Sequence, residues 1–136
     1  MSTYENKLTV IAFYAAIERG DYDAVASMCH EDFVFYPQID SPRAGVDGFI
    51  RAEKKHLDSF QGFSMAVDPI GEGDRVAAFV VFTGVHTGAF YGIEATGRTL
   101  RFSMANVFTF RDGLISEKRA HYDLHDHIDQ LTRDRT

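Results

Sequence analysis

From Leu100 to Phe110 the chain alternates without a break. Leu100, Phe102, Met104, Asn106, Phe108 and Phe110 share one parity; Arg101, Ser103, Ala105, Val107 and Thr109 share the other. Successive side chains of an extended strand point to opposite faces, so the pattern predicts a half-buried β-strand over 100–110. One member of the apolar row is polar. Leaving a buried amide unpaired costs about 1–3 kcal/mol. Asn106 therefore has its own partner in the core, or it faces a cavity in which a ligand supplies one.

The remaining elements follow from the same reasoning. Leu8, Ile11, Phe13, Tyr14 and Ile17 predict a first helix over 3–19, ended by Gly20, and Asp21 caps a short second helix over 22–28. Residues 32–36 read as a strand stopped by Pro37, followed by turn chemistry over 38–45. Phe49, Ile50 and Leu57 place a third helix over 46–59. Strands are predicted over 63–70, 75–88 and 114–122, with Gly-containing hairpin turns at 71–74 and 111–113 and an irregular Gly-rich link over 89–97. A short helix over 123–133 closes the chain. Helices followed by an antiparallel meander describe a single-domain α+β fold over residues 1–136.

Composition narrows the function classes. The net charge is −6, and no window forms the basic patch that nucleic-acid phosphates require. Arg51, Lys54 and Lys55 are interleaved with Glu53 and Asp58, which reads as a solvated helix face. A single cysteine, Cys29, excludes an internal disulfide and a Cys-rich metal site, and predicts a reduced, cytoplasmic setting. The first twenty residues carry no signal-peptide pattern, and no apolar run is long enough to cross a membrane. Twelve Phe and six Tyr can fill a core or line a hydrophobic pocket. Strand 75–88 is apolar on both faces, with Ala78, Val80 and Phe82 on one and Phe79, Val81 and Val85 on the other. An antiparallel sheet with one wet face does not show that pattern. A second copy of the chain is the simplest cover, which predicts a homodimer.

The element order is joined by specific residues: Glu18-Arg19-Gly20-Asp21-Tyr22-Asp23; Gly45, Gly48 and Phe49; the run from Thr83 to Arg98 around His86; and the strand ending in Arg111-Asp112-Gly113. Over about Leu8 to Leu131 this resembles the SnoaL-like polyketide cyclase family, within the nuclear transport factor 2-like superfamily. The resemblance implies a cone-shaped fold, in which a curved antiparallel sheet and the helices enclose a deep, mostly apolar pocket. It also implies a cofactor-independent enzyme of cyclase or isomerase type acting on a small hydrophobic carbonyl compound. A non-catalytic binder of the same fold is the alternative, and hydration, dehydration or hydrolysis is a third reading. The polyketide cyclases keep an acid–base aspartate in the last strand, where this chain has Ala120. The related isomerases keep an aspartate base before the first-strand proline, where Tyr36 stands. Their protonated acid in the long strand corresponds to Asn106, whose amide can still donate to an oxyanion.

The candidate catalytic residues are therefore Asn106 as oxyanion donor and His86, His121 or Asp123 as base, with Asp40 behind them. Tyr14, Tyr36, Phe102, Met104 and Phe108 are the candidate pocket-lining residues. Each has a structural alternative: His86 can tie down the irregular link, and Tyr14 and Tyr36 can be core aromatics. His121, Asp123, His125, Asp126 and His127 crowd together, but residues two apart on a helix point to different sides. A helix capped by Asp123 with surface histidines after it is favoured over a metal site, and neither metal nor cofactor is expected.

Overall fold

The computed structural model describes residues 2–134. Helices α1 (Thr3–Glu18) and α2 (Tyr22–Ser27) precede strand β1 (Cys29–Tyr36) and the two-residue β2 (Arg43–Ala44). Helix α3 (Val46–Leu57) leads into β3 (Phe60–Glu72), β4 (Arg75–His86), β5 (Thr99–Arg111) and β6 (Leu114–His121), and α4 (Leu124–Thr132) follows. The six strands form one open sheet in the order β2-β1-β6-β5-β4-β3. The α+β architecture is the one the sequence implies.

Two joins depart from the expected meander. Strand β1 starts at Cys29 and runs parallel to β6, with Val34 opposite Glu117 and Tyr36 opposite Arg119. Residues 43–44, inside the expected turn, add a short antiparallel edge to β1. Pro69 sits in β3, which is the other edge of the sheet, so its missing N–H breaks no ladder.

The helices cover one face. Helix α1 buries Asn6, Val10, Phe13, Tyr14, Ala16 and Ile17. Leu8 and Ile11, which the sequence pattern places on the buried stripe, are instead 47% and 42% exposed. The true stripe is Val10, Phe13, Tyr14, Ile17, which keeps strict i, i+3, i+4, i+7 spacing. On β4, Val76, Ala78, Val80 and Phe82 are buried beneath the helices, whereas Phe79 and Val85 remain exposed on the outer face.

Gly84 is buried in β4 beside a register shift of β3 between Gln61 and Ser64. A Cβ built there would lie 3.0 Å from Phe63 Cβ, 3.0 Å from Phe82 Cζ and 3.1 Å from Phe60 Cβ. The missing side chain lets these three rings pack over the strand. Gly84→Ala should lower the urea-unfolding free energy by about 1–3 kcal/mol, the range for overpacking a core. Gly48→Ala, whose Cβ would meet only Arg51 at 3.8 Å, is the matched control.

Candidate active site

Helix α3, strands β3, β4 and β5, the 87–98 loop and α4 converge on one mostly apolar cavity of about 70 Å³. Leu57, Phe60, Met65, Phe82, Phe90, Phe102 and Met104 supply its greasy wall. The other lining residues are all titratable: Glu53, His56, Tyr91, Tyr122 and His127. Tyr91 and Tyr122 are 46% and 42% exposed and so mark the mouth. Tyr91 holds a left-handed backbone (φ 48°) ahead of Gly92, in a tight turn closed by reciprocal Phe90–Ile93 backbone bonds of 3.0 and 2.9 Å. Such a conformation is uncommon for a bulky residue and clusters at functional sites. Here it turns Phe90 inward and leaves Tyr91 at the rim.

Two imidazole–phenol stacks flank this mouth. His56 lies on Tyr91 at 5.0 Å and 13°, and His127 lies on Tyr122 at 5.3 Å and 9°. His127 is 2% exposed, and neither of its ring nitrogens has a partner. Burial lowers its pKa below the usual imidazole value, against the opposing pull of Asp126 and Asp123. It therefore presents a neutral ring with one N–H and one lone pair unused. Burial likewise lowers the pKa of His56, and Lys55 lowers it further. It raises the pKa of the Glu53 carboxyl, with Lys118 pulling the other way. The Tyr122 hydroxyl is pushed up to about 12, by burial first and then by Tyr91, so it is a donor at neutral pH.

Behind the α3 side of the site lies a buried charge that the alternation pattern does not reveal. Lys118 is 3% exposed and donates from Nζ to Asn106 Oδ1 at 3.0 Å. Its ammonium is ringed by Tyr14, Phe35, Phe49 and Phe108, with centroids 5.3–5.8 Å away. Burial lowers its pKa to about 8, with Glu53 and Cys29 opposing.

The candidates named from sequence fall in separate places. The Asn106 Nδ2 donates to Ala78 O at 3.1 Å while its Oδ1 holds Lys118; this amide has its own core partners. His86 is fully buried, and its Nδ1 takes the Thr96 N–H at 3.1 Å. With His86 N bonded to Arg98 O and Gly97 N to His86 O, it ties down the Gly-rich link. Its Nε2 is unpartnered. His121 is exposed and borders an outer groove with Asp123, on the far side of the Tyr122–His127 wall. Asp123 caps α4 through Asp126 N. Asp40 is exposed on the loop after β1.

Phe102 and Met104 line the cavity, whereas Phe108 and Tyr14 pack in the core around Lys118. The Tyr14 hydroxyl has no partner. Tyr36 is half-buried with the Arg119 guanidinium 4.0 Å from its ring centroid. His127 is not a surface histidine, and Glu53 does not lie on a solvated face. Among the described residues, no group of three or more His, Cys, Asp or Glu is placed to hold a metal ion.

The Lys118–Asn106 pair makes a sharp stability prediction. Asn106→Leu alone strands a buried ammonium and should cost about 3–5 kcal/mol, whereas adding Lys118→Met should restore native stability or exceed it by up to about 4 kcal/mol. The pH dependence follows from the lowered Lys118 pKa. Between about 8 and its ordinary 10.5, the unfolded chain holds more protons at this site than the folded one. Lys118 therefore makes stability rise with pH through that window. Burial raises the Cys29 and Tyr14 pKa values, which act oppositely only near and above 9 and 10. Urea titrations at pH 7, 8 and 9 should show the double variant's advantage shrinking.

The sequence matches the SnoaL-like polyketide cyclase family over residues 8–131. Solved structures of the same fold include a candidate polyketide cyclase from Streptomyces antibioticus, IdmH, with 26% identity and TM-score 0.82 over 93% of this chain and 97% of that one. A candidate polyketide cyclase from Xanthomonas campestris pv. campestris is also 26% identical, with TM-score 0.81 over 96% and 98%. A candidate hydroxylase from Streptomyces galilaeus, AclR, is 24% identical and shares the fold with TM-score 0.87 over 96% and 97%. Among curated proteins none matches the chain. The family match supports a cyclase-type function, and the chain belongs to the SnoaL-like polyketide cyclase family.

Proposed function

We propose that this chain is a cofactor-independent acid–base enzyme of the cyclase or isomerase type. It takes a small hydrophobic carbonyl compound into the cavity behind Tyr91 and Tyr122. The carrying observation is His127, a buried imidazole with two unpartnered nitrogens on the wall of the cavity that Glu53 also lines. Each unpartnered buried polar atom costs about 1–3 kcal/mol, and a ligand oxygen at the His127 N–H would remove part of that cost. In this reading Glu53, ionised, takes the proton from the carbon next to the carbonyl. His127 and Tyr122 donate to the oxygen on which negative charge develops, in a mostly apolar pocket that strengthens both effects. The roles differ from those suggested by the family resemblance, because Asn106 is occupied by Lys118 and Ala78 and Ala120 carries no proton.

The test needs no natural substrate. Proton–deuterium exchange next to the carbonyl of small cyclic ketones and β-diketones can be followed by NMR in D2O. Glu53→Gln should slow exchange by about 10²–10⁴-fold. His127→Phe should lower kcat more than it raises KM. The acid limb of the rate profile should lie above pH 4.5, the ordinary glutamate value, because burial raises the Glu53 pKa. If these ketones raise the melting temperature yet exchange no faster than in buffer, the chain is a binder without chemistry. That second reading is favoured by the replacement of both relatives' bases, at Ala120 and Tyr36.

The outer sheet face leads to a companion proposal: two copies pair through it. Phe79, at 54% exposed, stands beside Ala105 of β5 and across from Asp68 of β3, with Ile70 at 72% nearby. Light scattering at micromolar concentration should give twice the chain mass for the native protein and the chain mass for Phe79→Asp.

A further inference from the structure

We propose that Lys118 is the positioning residue of this site: an ammonium pinned behind the cavity wall that keeps the Glu53 carboxylate in its proton-accepting form. The inference rests on the reading of Glu53 as the base and adds the group that makes a carboxylate workable among aromatic side chains.

The geometry is built from both sides. Phe49 and Glu53 are one helical turn apart on α3, so their side chains share a face. The Phe49 ring centroid is 5.6 Å from Lys118 Nζ, and Glu53 lines the cavity. Lys118 thus approaches the α3 stripe that carries Glu53, from the core side. It cannot drift. Its Nζ is bonded to Asn106 Oδ1, Asn106 is bonded in turn to the Ala78 carbonyl of β4, and ring faces close the remaining directions.

The electrostatics agree with this placement. Burial raises the Glu53 pKa and Lys118 lowers it; Glu53 raises the pKa of Lys118 in return. The other titratable groups in range are Tyr14 on α1, Tyr22 on α2 and Tyr122 after β6, each of which is influenced by Glu53. All three are phenols with raised pKa values, so they are neutral near pH 7 and cannot replace a cation. Cys29 on β1 is near Lys118, and its thiol, pushed up to about 12, is neutral too. His56 and His127 share the cavity, and burial favours their neutral forms. Lys118 is thus the group among these that supplies a positive charge at neutral pH.

The test is a titration, which reads Glu53 whether or not the protein turns anything over. The full chain is labelled with [13C-carboxyl]glutamate, and the Glu53 signal is assigned by its loss in Glu53→Gln. An opposite charge within about 4–6 Å moves a carboxyl by about 1–3 pH units, and a more distant one by less. In Lys118→Met the Glu53 midpoint should therefore rise, by up to about one unit, and the acid limb of ketone exchange should move with it. The Lys118→Met/Asn106→Leu double variant takes the place of the single one if that folds poorly. An unchanged Glu53 midpoint in either folded variant overturns the proposal and leaves Lys118 a purely structural group. If the midpoint moves but Glu53→Gln exchanges ketones as fast as the native chain, the positioning holds and the catalytic reading of Glu53 fails.

Discussion

Burying an ammonium costs several kcal/mol unless its charge and its N–H groups are met, and Lys118 is buried where most of the fold converges. Its surroundings come from α1 through Tyr14, β1 through Phe35, α3 through Phe49, and β5 through Asn106 and Phe108. One bond to an amide oxygen and four ring faces offset the desolvation. These partners lie far apart in sequence, so the charge is tolerated only when the helices, the first strand and the long strand meet in one arrangement. Replacing such a buried charge and its partner by apolar groups is often neutral or stabilising, which fits the positioning role proposed for Lys118.

The path from sequence to fold is short because the alternation is clean. Strands β4 and β5 keep one parity along their length, and their inward and outward rows match the sequence pattern. Helix boundaries follow from Asp21 and Asp123, whose side chains cap α2 and α4. Asn106 stands out as an amide in a greasy row, and it does have a dedicated partner. What the pattern hides is the partner. In Leu114–His121 three charged residues, Glu117, Lys118 and Arg119, are consecutive, and a register shift between Thr109 and Phe110 changes the parity of the strand pairing. Ile115 is buried before the shift, and Lys118 and Ala120 are buried after it. A bulge cannot be counted from alternation, because it is the residue at which alternation fails.

Two cavity residues escape the sequence reading although they carry a readable signal. Glu53 sits between Phe49 and Leu57 at four-residue spacing, on the stripe that α3 buries. His127 shares the α4 stripe with Leu124, Ile128 and Leu131 at i−3, i+1 and i+4, and Leu131 is buried with it. Chemistry rather than position disguises both: a glutamate among lysines and a histidine among aspartates look like surface residues. Helical periodicity outranks composition in both cases. A polar residue on an apolar stripe carries the same message as Asn106 does in the strand, that something inside must meet it.

Glu53 and His127 are met in different ways, and that difference underlies the acid–base chemistry proposed for the site. Burial moves a carboxyl up and an imidazole down, because it disfavours each charged form. Left to burial alone, the two groups would drift toward a neutral acid beside a neutral base, a pair with little drive to move a proton onto or off carbon. Lys118 acts against this on the carboxyl, where Asp126 and Asp123 act on the imidazole from outside the cavity. The cation is locked in the core, whereas those two aspartates sit on the solvent side of α4, where salt and water screen them. In the proposed mechanism the core charge keeps its hold on Glu53 while His127 stays neutral, leaving a carboxylate that accepts and an imidazole that donates on the wall of one mostly apolar cavity.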